Sequence, residues 1–338
     1  MSTWNATSLD SGAMMASAES SAVARTPVNG VPAFFIVGQP KCGTTALYEM
    51  LRRHPELHMP VKEPWYFATD RLPVNSDGYA KTLEEYLSLF GEAPPGKLVG
   101  EASPVYLMSE VAASAIAEVR PDARIIAILR EPAEFLRSLH LQSVQDHVET
   151  EKDLGRAIAL EPARREGREI PRHTDRPHEL MYSEHVRYVE QLKRFDAVFP
   201  AEQMLVLIYD DFRADNEATV RRVLRFLGVN DEGPIEVMEA NPTVRVRSPR
   251  LHELLRSLYL GRGPAAAVAK AAIKAVTPKR MRRKAQITVR QRALYAKPNP
   301  PDEELMADLR RRFKSEVVEL SAYLDRDLVS LWGYDELV

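Results

Sequence analysis

Short apolar runs alternate with stretches of helical periodicity along most of this chain, and that alternation restricts the fold more than any other feature. Four runs are predicted as buried strands, at residues 31–37, 97–101, 124–129 and 204–208. Helical patterns separate or follow these runs, beginning after Gly43 and spanning 110–119, 133–147 and 216–227. Strands that alternate with helices imply right-handed crossover connections. The predicted fold class is therefore α/β, with a central parallel sheet and helices on both faces.

The chain is predicted to form one folded domain, from residue 31 to residue 338. Residues 1–30 are rich in Ser and Ala and lack the basic start and apolar centre of a signal peptide, so we expect a disordered tail. Residues 149–176 are polar and poor in periodicity, and we interpret them as a lid-like excursion. Apolar residues at three- and four-residue spacing predict a C-terminal helix over 302–325.

Composition narrows the expected partners and compartment. A formal net charge of -2 argues against a nucleic-acid-binding protein. The single cysteine, Cys42, excludes an intrachain disulfide, and this suits the cytoplasmic location that we expect. The sequence has no run of about 18 apolar residues, so we expect no transmembrane segment.

One segment, residues 261–297, carries eleven Lys or Arg and no Asp or Glu. Three interpretations stay open for this basic segment. It is a solvated face, a lid that closes over a polyanionic ligand, or a surface for peripheral membrane contact.

A glycine-containing loop lies between the first predicted strand and the first predicted helix, with the sequence GQPKCGTT over residues 38–45. A loop in this position directs backbone N–H groups and the positive end of the helix towards an anion. Its glycines match the spacing of the nucleotide-binding pattern GxxxxGK[ST], but Thr44 stands where that pattern has its lysine, and Lys41 lies inside the loop. These features predict a phosphate-loop, three-layer fold that is P-loop NTPase-like.

A second anion-binding feature follows the strand predicted at 124–129. This strand ends in Arg130, where many kinase-like enzymes have an acidic residue that helps to hold Mg²⁺. A guanidinium group suits a phosphate better than a metal ion. Ser138 comes eight residues later on the predicted helix, facing the same site. Together, Arg130 and Ser138 predict a second phosphate pocket beside the first, and no metal is required.

These residues resemble the PAPS-dependent sulfotransferase family, where PAPS is 3′-phosphoadenosine 5′-phosphosulfate. The loop is similar to the family's 5′-phosphosulfate motif, and the Arg130–Ser138 pair is similar to its 3′-phosphate motif. Ala46 follows the two threonines, where the phenol-type enzymes usually have Trp, so the chain looks closer to the bacterial and carbohydrate-type branch. The resemblance implies a PAPS-binding set of nine residues: Pro40, Lys41, Cys42, Gly43, Thr44, Thr45, Ala46, Arg130 and Ser138.

The resemblance also implies roles in catalysis. Lys41 is the predicted cation for the charge that develops on the donor's bridging oxygen. Glu63, in the sequence KEPWYF, matches the position of the branch's catalytic glutamate and is the predicted general base. His140 is a further catalytic candidate on the acceptor side. Cys42, beside Lys41 at a helix start, is expected to have a lowered thiol pKa or to be an inert small residue.

The predicted activity is transfer of a sulfuryl group from PAPS to a hydroxyl or amine of a glycan, lipid or natural-product acceptor. Two alternatives remain. A nucleotide-dependent kinase would need ATP and Mg²⁺, which Thr44 and Arg130 disfavour. A non-enzymatic polyanion- or membrane-binding protein would act through the basic segment.

Overall fold

A computed structural model describes residues 30–336, except for 75, 92, 173, 238–244, 247–294 and 297–299. The expected tail and almost all of the basic segment lie outside the described residues. The described part of the chain contains no helix that is both long enough and apolar enough to cross a membrane.

A five-stranded parallel sheet forms the centre of the protein, in the order β2-β3-β1-β4-β5. Its strands are β1 (Phe34–Gly38), β2 (Leu57–His58), β3 (Leu98–Ala102), β4 (Arg124–Leu129) and β5 (Met204–Ile208). The α/β prediction is confirmed. All four strands predicted from the apolar runs are present, whereas the two-residue strand β2 is too short to leave a pattern in the sequence.

Helices surround this sheet, and most of those in the described residues are short. They are α1 (Thr44–Leu51), α2 (Leu83–Ser88), α3 (Ala112–Val119), α4 (Pro132–Gln145), α5 (Leu154–Ala159), α6 (Glu161–Arg165), α7 (Tyr182–His185), α8 (Tyr188–Asp196), α9 (Tyr209–Ala214), α10 (Asn216–Leu227), α11 (Glu303–Tyr323) and α12 (Leu328–Leu331). Short 3₁₀-helices occupy Thr69–Arg71, Pro104–Met108, Pro177–Leu180 and Ala201–Gln203. A separate antiparallel pair joins β6 (Arg245–Val246) to β7 (Tyr295–Ala296).

The direction in which the chain adds strands to the sheet reverses beside β1. After β1 the chain adds β2 and β3 on one side, and it then crosses to add β4 and β5 on the other side. Residues of β1 and β4 are fully buried except Arg124, as expected for strands covered on both faces. In open parallel sheets, ligands bind at the carboxyl ends of the strands where the order reverses. The fold therefore predicts a site above β1 and β4.

The C-terminal helix α11 packs against α4, the helix that follows β4. Its buried stripe is Met306, Leu309, Phe313, Val317 and Leu320. Its bounds lie within two residues of the expected 302–325. Asp302 caps its N-terminus by accepting a hydrogen bond from the backbone N–H of Leu305 at 3.2 Å.

The chain end is also tied to the start of α4. Glu131 caps this helix by accepting hydrogen bonds from the N–H groups of Ala133 and Glu134, and the hydroxyl of Tyr334 donates to the same carboxylate.

The predicted excursion at 149–176 contains two helices, α5 and α6, which the sequence pattern did not indicate. A buried ion pair between Arg164 and Glu149, with an N–O distance of 2.8 Å, joins two parts of this segment to each other. Glu149 also accepts a hydrogen bond from the hydroxyl of Tyr182 at 3.1 Å. The polar residues that made this segment look irregular are thus partly its internal anchors.

Candidate active site

The predicted phosphate loop connects β1 to α1 and begins against β4. The backbone N–H of Gln39 donates to the carbonyl of Ile128 at 2.8 Å, so the loop starts beside the end of β4. Gly43 precedes α1 with φ of 87°, and a Cβ there would lie 3.0 Å from the ring of Phe212. Only glycine meets both conditions without strain. The backbone of the loop is therefore held open at the N-terminus of α1.

One cleft lies above the ends of β1 and β4, and both predicted phosphate-binding clusters line it. From the loop, the lining includes Lys41 and the segment 43–46; from β4 and α4 it includes Arg130 and Ser138. Glu63 lies in the same lining. The two clusters thus face a shared cavity of about 280 Å³, as a donor with anionic groups at both ends requires.

Arg130 is held from three directions at the edge of this cleft. Its guanidinium group forms an ion pair with Glu134 at 3.0 Å and lies 4.9 Å from the centre of the Tyr209 ring. Its backbone carbonyl accepts a hydrogen bond from the hydroxyl of Tyr188 at 3.0 Å. The guanidinium group is largely buried, with 15% of the side chain exposed. It is therefore oriented before any ligand arrives.

Lys41 lies inside the loop with an unusual backbone conformation. Its φ of 63° is in the left-handed region, which residues with a Cβ rarely adopt. Burial lowers the pKa of its ammonium group, and the nearby Arg130 lowers it further, whereas the carboxylate of Asp146 opposes both effects. A desolvated cation at this position interacts strongly with negative charge that appears beside it.

Glu63 reaches the cleft from a loop that packs against the end of β3. Its φ is 61°, and its backbone N–H donates to the carbonyl of Ala102 at 2.9 Å. The carboxylate forms an ion pair with Lys62, and 43% of its side chain is exposed. An exposed carboxylate in a cleft can accept a proton from a bound ligand and release it to water.

His140 and Cys42 are not among the residues that line the cleft. His140 is buried beside the ring of Tyr182, and its Nε2 contacts the carbonyl of Glu151 at 2.8 Å. Burial lowers the pKa of His140.

Cys42 is fully buried in the core, and burial raises the pKa of its thiol. Of the two alternatives for Cys42, the inert small residue therefore fits the structure, and the lowered thiol pKa is wrong. The desolvation of the thiolate outweighs the attraction of Arg130 and Lys41.

The cleft also contains residues that the sequence analysis missed. Tyr209 follows β5 directly, and it could have been found by asking which residues end each predicted strand. Arg176, Glu179 and His185 also line the cleft, but they come from a part of the chain far from the phosphate loop and gave no local signal. Burial raises the pKa of Glu179 to about 7, although the guanidinium group of Arg176 lies 2.9 Å away and opposes the shift. Within the described ranges, no group of three or more His, Cys, Asp or Glu side chains could hold a metal ion.

Comparison with known protein families identifies the family of this chain. The Sulfotransferase domain family matches this sequence over residues 32–244, which is more than half of the chain. The chain belongs to the sulfotransferase family. The matched range includes the phosphate loop, Glu63, Arg130 and Ser138, so the resemblance stated from these residues is confirmed.

Individual sulfotransferases match parts of the chain. Human heparan sulfate glucosamine 3-O-sulfotransferase 6 is 29% identical over 206 residues, covering 59% of this chain and 52% of that protein. Mouse carbohydrate sulfotransferase 15 is 32% identical over 155 residues, covering 33% of this chain and 27% of that protein. This chain therefore spans about half, or less, of the length of these relatives.

A solved sulfotransferase structure covers more of the chain. The sulfotransferase from Alicyclobacillus acidocaldarius is similar with a TM-score of 0.55 and 27% sequence identity. The similarity covers 74% of this chain and 98% of that one.

Proposed function

We propose that this sulfotransferase-family protein transfers a sulfuryl group from PAPS to a hydroxyl or amine of an acceptor molecule. One observation carries the proposal: the phosphate loop and the Arg130–Ser138 pair line a single cleft. PAPS has anionic groups at its 5′ and 3′ positions, so it needs two cationic or N–H-rich pockets within one cavity. Family membership supports the same donor.

Each cluster takes one end of the donor. Backbone N–H groups at the start of α1, with the hydroxyls of Thr44 and Thr45, bind the 5′-phosphosulfate. Arg130 and Ser138 bind the 3′-phosphate, a group that ATP lacks. The pair therefore selects PAPS over ATP.

Two residues of the cleft, Glu63 and Lys41, have separate roles in the reaction. Glu63 removes the proton of the acceptor as its oxygen or nitrogen forms a bond to sulfur. The bond from sulfur to the bridging oxygen breaks, and Lys41 stabilises the negative charge that collects on that oxygen. The products are the sulfated acceptor and adenosine 3′,5′-bisphosphate, and Glu63 releases its proton to water.

A glycan is the acceptor class that we favour. The names of two relatives refer to a glucosamine and a carbohydrate acceptor. Trp65 lines the cleft and packs on Tyr79 with ring centres 5.7 Å apart, so a fixed aromatic face is available for a sugar ring. The paired Arg176 and Glu179 add hydrogen-bonding groups on the same cavity wall.

Incubation of the purified protein with ³⁵S-labelled PAPS and separate glycan, lipid and phenol pools tests the activity. We expect a labelled conjugate, foremost from the glycan pool, and release of adenosine 3′,5′-bisphosphate. Calorimetry with that bisphosphate and with Mg-ATP separates the kinase alternative, which requires tighter binding of Mg-ATP. Heparin or liposome binding that survives Lys41→Ala, with no turnover on any pool, would support the non-enzymatic alternative.

Arg130→Ala should weaken donor binding more than it slows the bound complex. A hydrogen bond to a charged group is worth about 1.5–3 kcal/mol, so the Kd for adenosine 3′,5′-bisphosphate should rise about ten- to a hundredfold. The matched control is Arg225→Ala, because Arg225 also pairs with a carboxylate, Asp231, but does not line the cleft. Equal affinities for wild type and Arg130→Ala would remove Arg130 from the 3′-phosphate pocket.

A further inference from the structure

A carboxyl group at the end of β3 is enclosed in the protein interior and has no part in the mechanism above. The side chain of Glu101 is wholly buried, and burial raises its pKa to about 7. Its neighbours are hydroxyl groups: Tyr86 donates to Oε2, and the hydroxyls of Ser103 and Tyr106 lie close enough to oppose the shift in pKa, as Tyr86 does, while Oε1 has no hydrogen-bond partner among the described residues. Burial of a carboxyl group is costly unless hydrogen bonds compensate for its lost hydration.

Two of these hydroxyls contact the loop that carries Glu63. The backbone N–H of Trp65 donates to Oγ of Ser103 at 3.2 Å, and the N–H of Phe67 donates to the hydroxyl of Tyr106 at 3.4 Å. A hydroxyl group has one proton, so a hydroxyl that accepts from the loop directs that proton elsewhere. Glu101 lies beside both hydroxyls, and its Oε1, unpartnered within the described part of the chain, is available to accept from them.

The third hydroxyl belongs to a residue that packs on the same loop through its ring. The Tyr86 ring stacks on Tyr66 at 4.6 Å and meets the edge of Phe67 at 5.1 Å. The loop is thus held by two backbone hydrogen bonds and by aromatic contacts, and all three supporting side chains lie beside Glu101, to which Tyr86 donates a hydrogen bond.

This loop needs external support because its backbone is strained. Glu63 and Trp65 have φ of 61° and 57°, on either side of Pro64, and both line the cleft. Left-handed conformations of residues with a Cβ persist only where the surroundings impose them. The position of the Glu63 carboxylate therefore depends on contacts made several residues away.

We propose that Glu101 is a positioning residue that orients the hydroxyls of Ser103, Tyr106 and Tyr86, and through them holds the loop of residues 63–67 so that Glu63 faces the cleft. This inference rests on the proposed function, because Glu101 is assigned the positioning of Glu63, the general base of that function. The donor-binding residues are attached to β1, α1 and α4, outside this network. Loss of the network should therefore lower turnover and leave donor affinity unchanged.

Tyr106→Phe is the first test, since it removes the hydroxyl between Glu101 and the Phe67 N–H and keeps the ring. We expect kcat to fall about five- to tenfold, because the strained loop then samples other conformations, with an unchanged Kd for adenosine 3′,5′-bisphosphate.

The matched control is Tyr182→Phe. Tyr182 is also buried, its hydroxyl also donates to a buried carboxylate, that of Glu149, and it does not line the cleft. In Tyr182→Phe, kcat should be unchanged, although thermal stability should fall about as much as in Tyr106→Phe. A wild-type kcat in Tyr106→Phe, or an equal fall in Tyr182→Phe, would overturn the proposal.

A second measurement needs no catalysis and separates this inference from the proposed function. In Glu101→Gln and Tyr106→Phe, the amide hydrogens of Trp65 and Phe67 should exchange with solvent at least about tenfold faster, whereas Tyr182→Phe should leave them unchanged. Unchanged exchange in Glu101→Gln, in a protein that binds the bisphosphate, overturns the positioning role alone. Absence of bisphosphate binding in the wild-type protein overturns the proposed function, whatever the exchange rates show.

Discussion

Glu63→Gln is expected to lower kcat by about 10²–10⁴-fold while the Kd for adenosine 3′,5′-bisphosphate stays at its wild-type value. Glutamine keeps the size and hydrogen-bonding capacity of the side chain but cannot take a proton from the acceptor. The donor contacts come from other elements, the phosphate loop and α4, so donor binding has no reason to change. Steady-state kinetics with saturating PAPS, together with calorimetry on the bisphosphate, measure the two quantities separately.

Substitutions of two other carboxylates test whether the effect is specific to Glu63. Glu319→Gln is the inert control, because Glu319 is also an exposed carboxylate paired with a lysine, Lys193, and lies outside the cleft. Glu179→Gln tests the competing carboxylate of the cleft wall, which burial already holds at a pKa of about 7. Full turnover by Glu63→Gln together with a collapse in Glu179→Gln would transfer the role of general base to Glu179.

Lys41→Met is the second change with a large expected effect, about 10²–10³-fold in kcat. Methionine fills the space of the lysine stem and removes the cation, so the charge on the leaving oxygen develops without its counterion. Because that charge is larger in the transition state than in the bound donor, kcat should fall more than donor affinity. Single-turnover rates with enzyme in excess measure the chemical step directly. Lys193→Met, at an exposed lysine, serves as the control.

The pH dependence of turnover gives an independent check on Lys41. Burial lowers the pKa of its ammonium group, so the charge is lost at a lower pH than in an exposed lysine. The protonated form is the active one in the proposed mechanism, and kcat should therefore fall as the pH rises through this lowered pKa. In Lys41→Arg the charge persists at all accessible pH values, so whatever activity remains should lose this alkaline decline. A decline that persists in Lys41→Arg would assign it to another group.

Much of the framework of this protein could be predicted from local patterns. Apolar runs of strand length identified four strands, because strands covered on both faces of a parallel sheet are apolar at nearly every position. The loop from Gly38 to Thr45 was identifiable because glycines and threonines between a strand and a helix suit an anion. Arg130 was identifiable for a similar reason, since it directly ends a strand.

Other features had no local signal. The helices α5 and α6 are short, and their charged residues serve as buried anchors, so the segment resembled an irregular loop. His140 comes two residues after Ser138 on α4, a spacing that directs the two side chains to different sides of the helix, and both His140 and Cys42 are buried outside the cleft lining. Adjacent positions on a helix or loop point in different directions, and proximity in sequence does not reveal which of them meets the cleft.

The sequence by itself determined the four longer strands of the sheet, the helices with a clear apolar period, and the side chains that can bind phosphate, because these depend on neighbours within a few residues. Only the tertiary structure decided that the two phosphate-binding clusters share one cleft, since that depends on β4 lying beside β1 in the sheet. It also decided the electrostatics of Lys41, Glu179 and Glu101. Their pKa shifts arise chiefly from burial, and burial comes from segments that lie far apart in the chain.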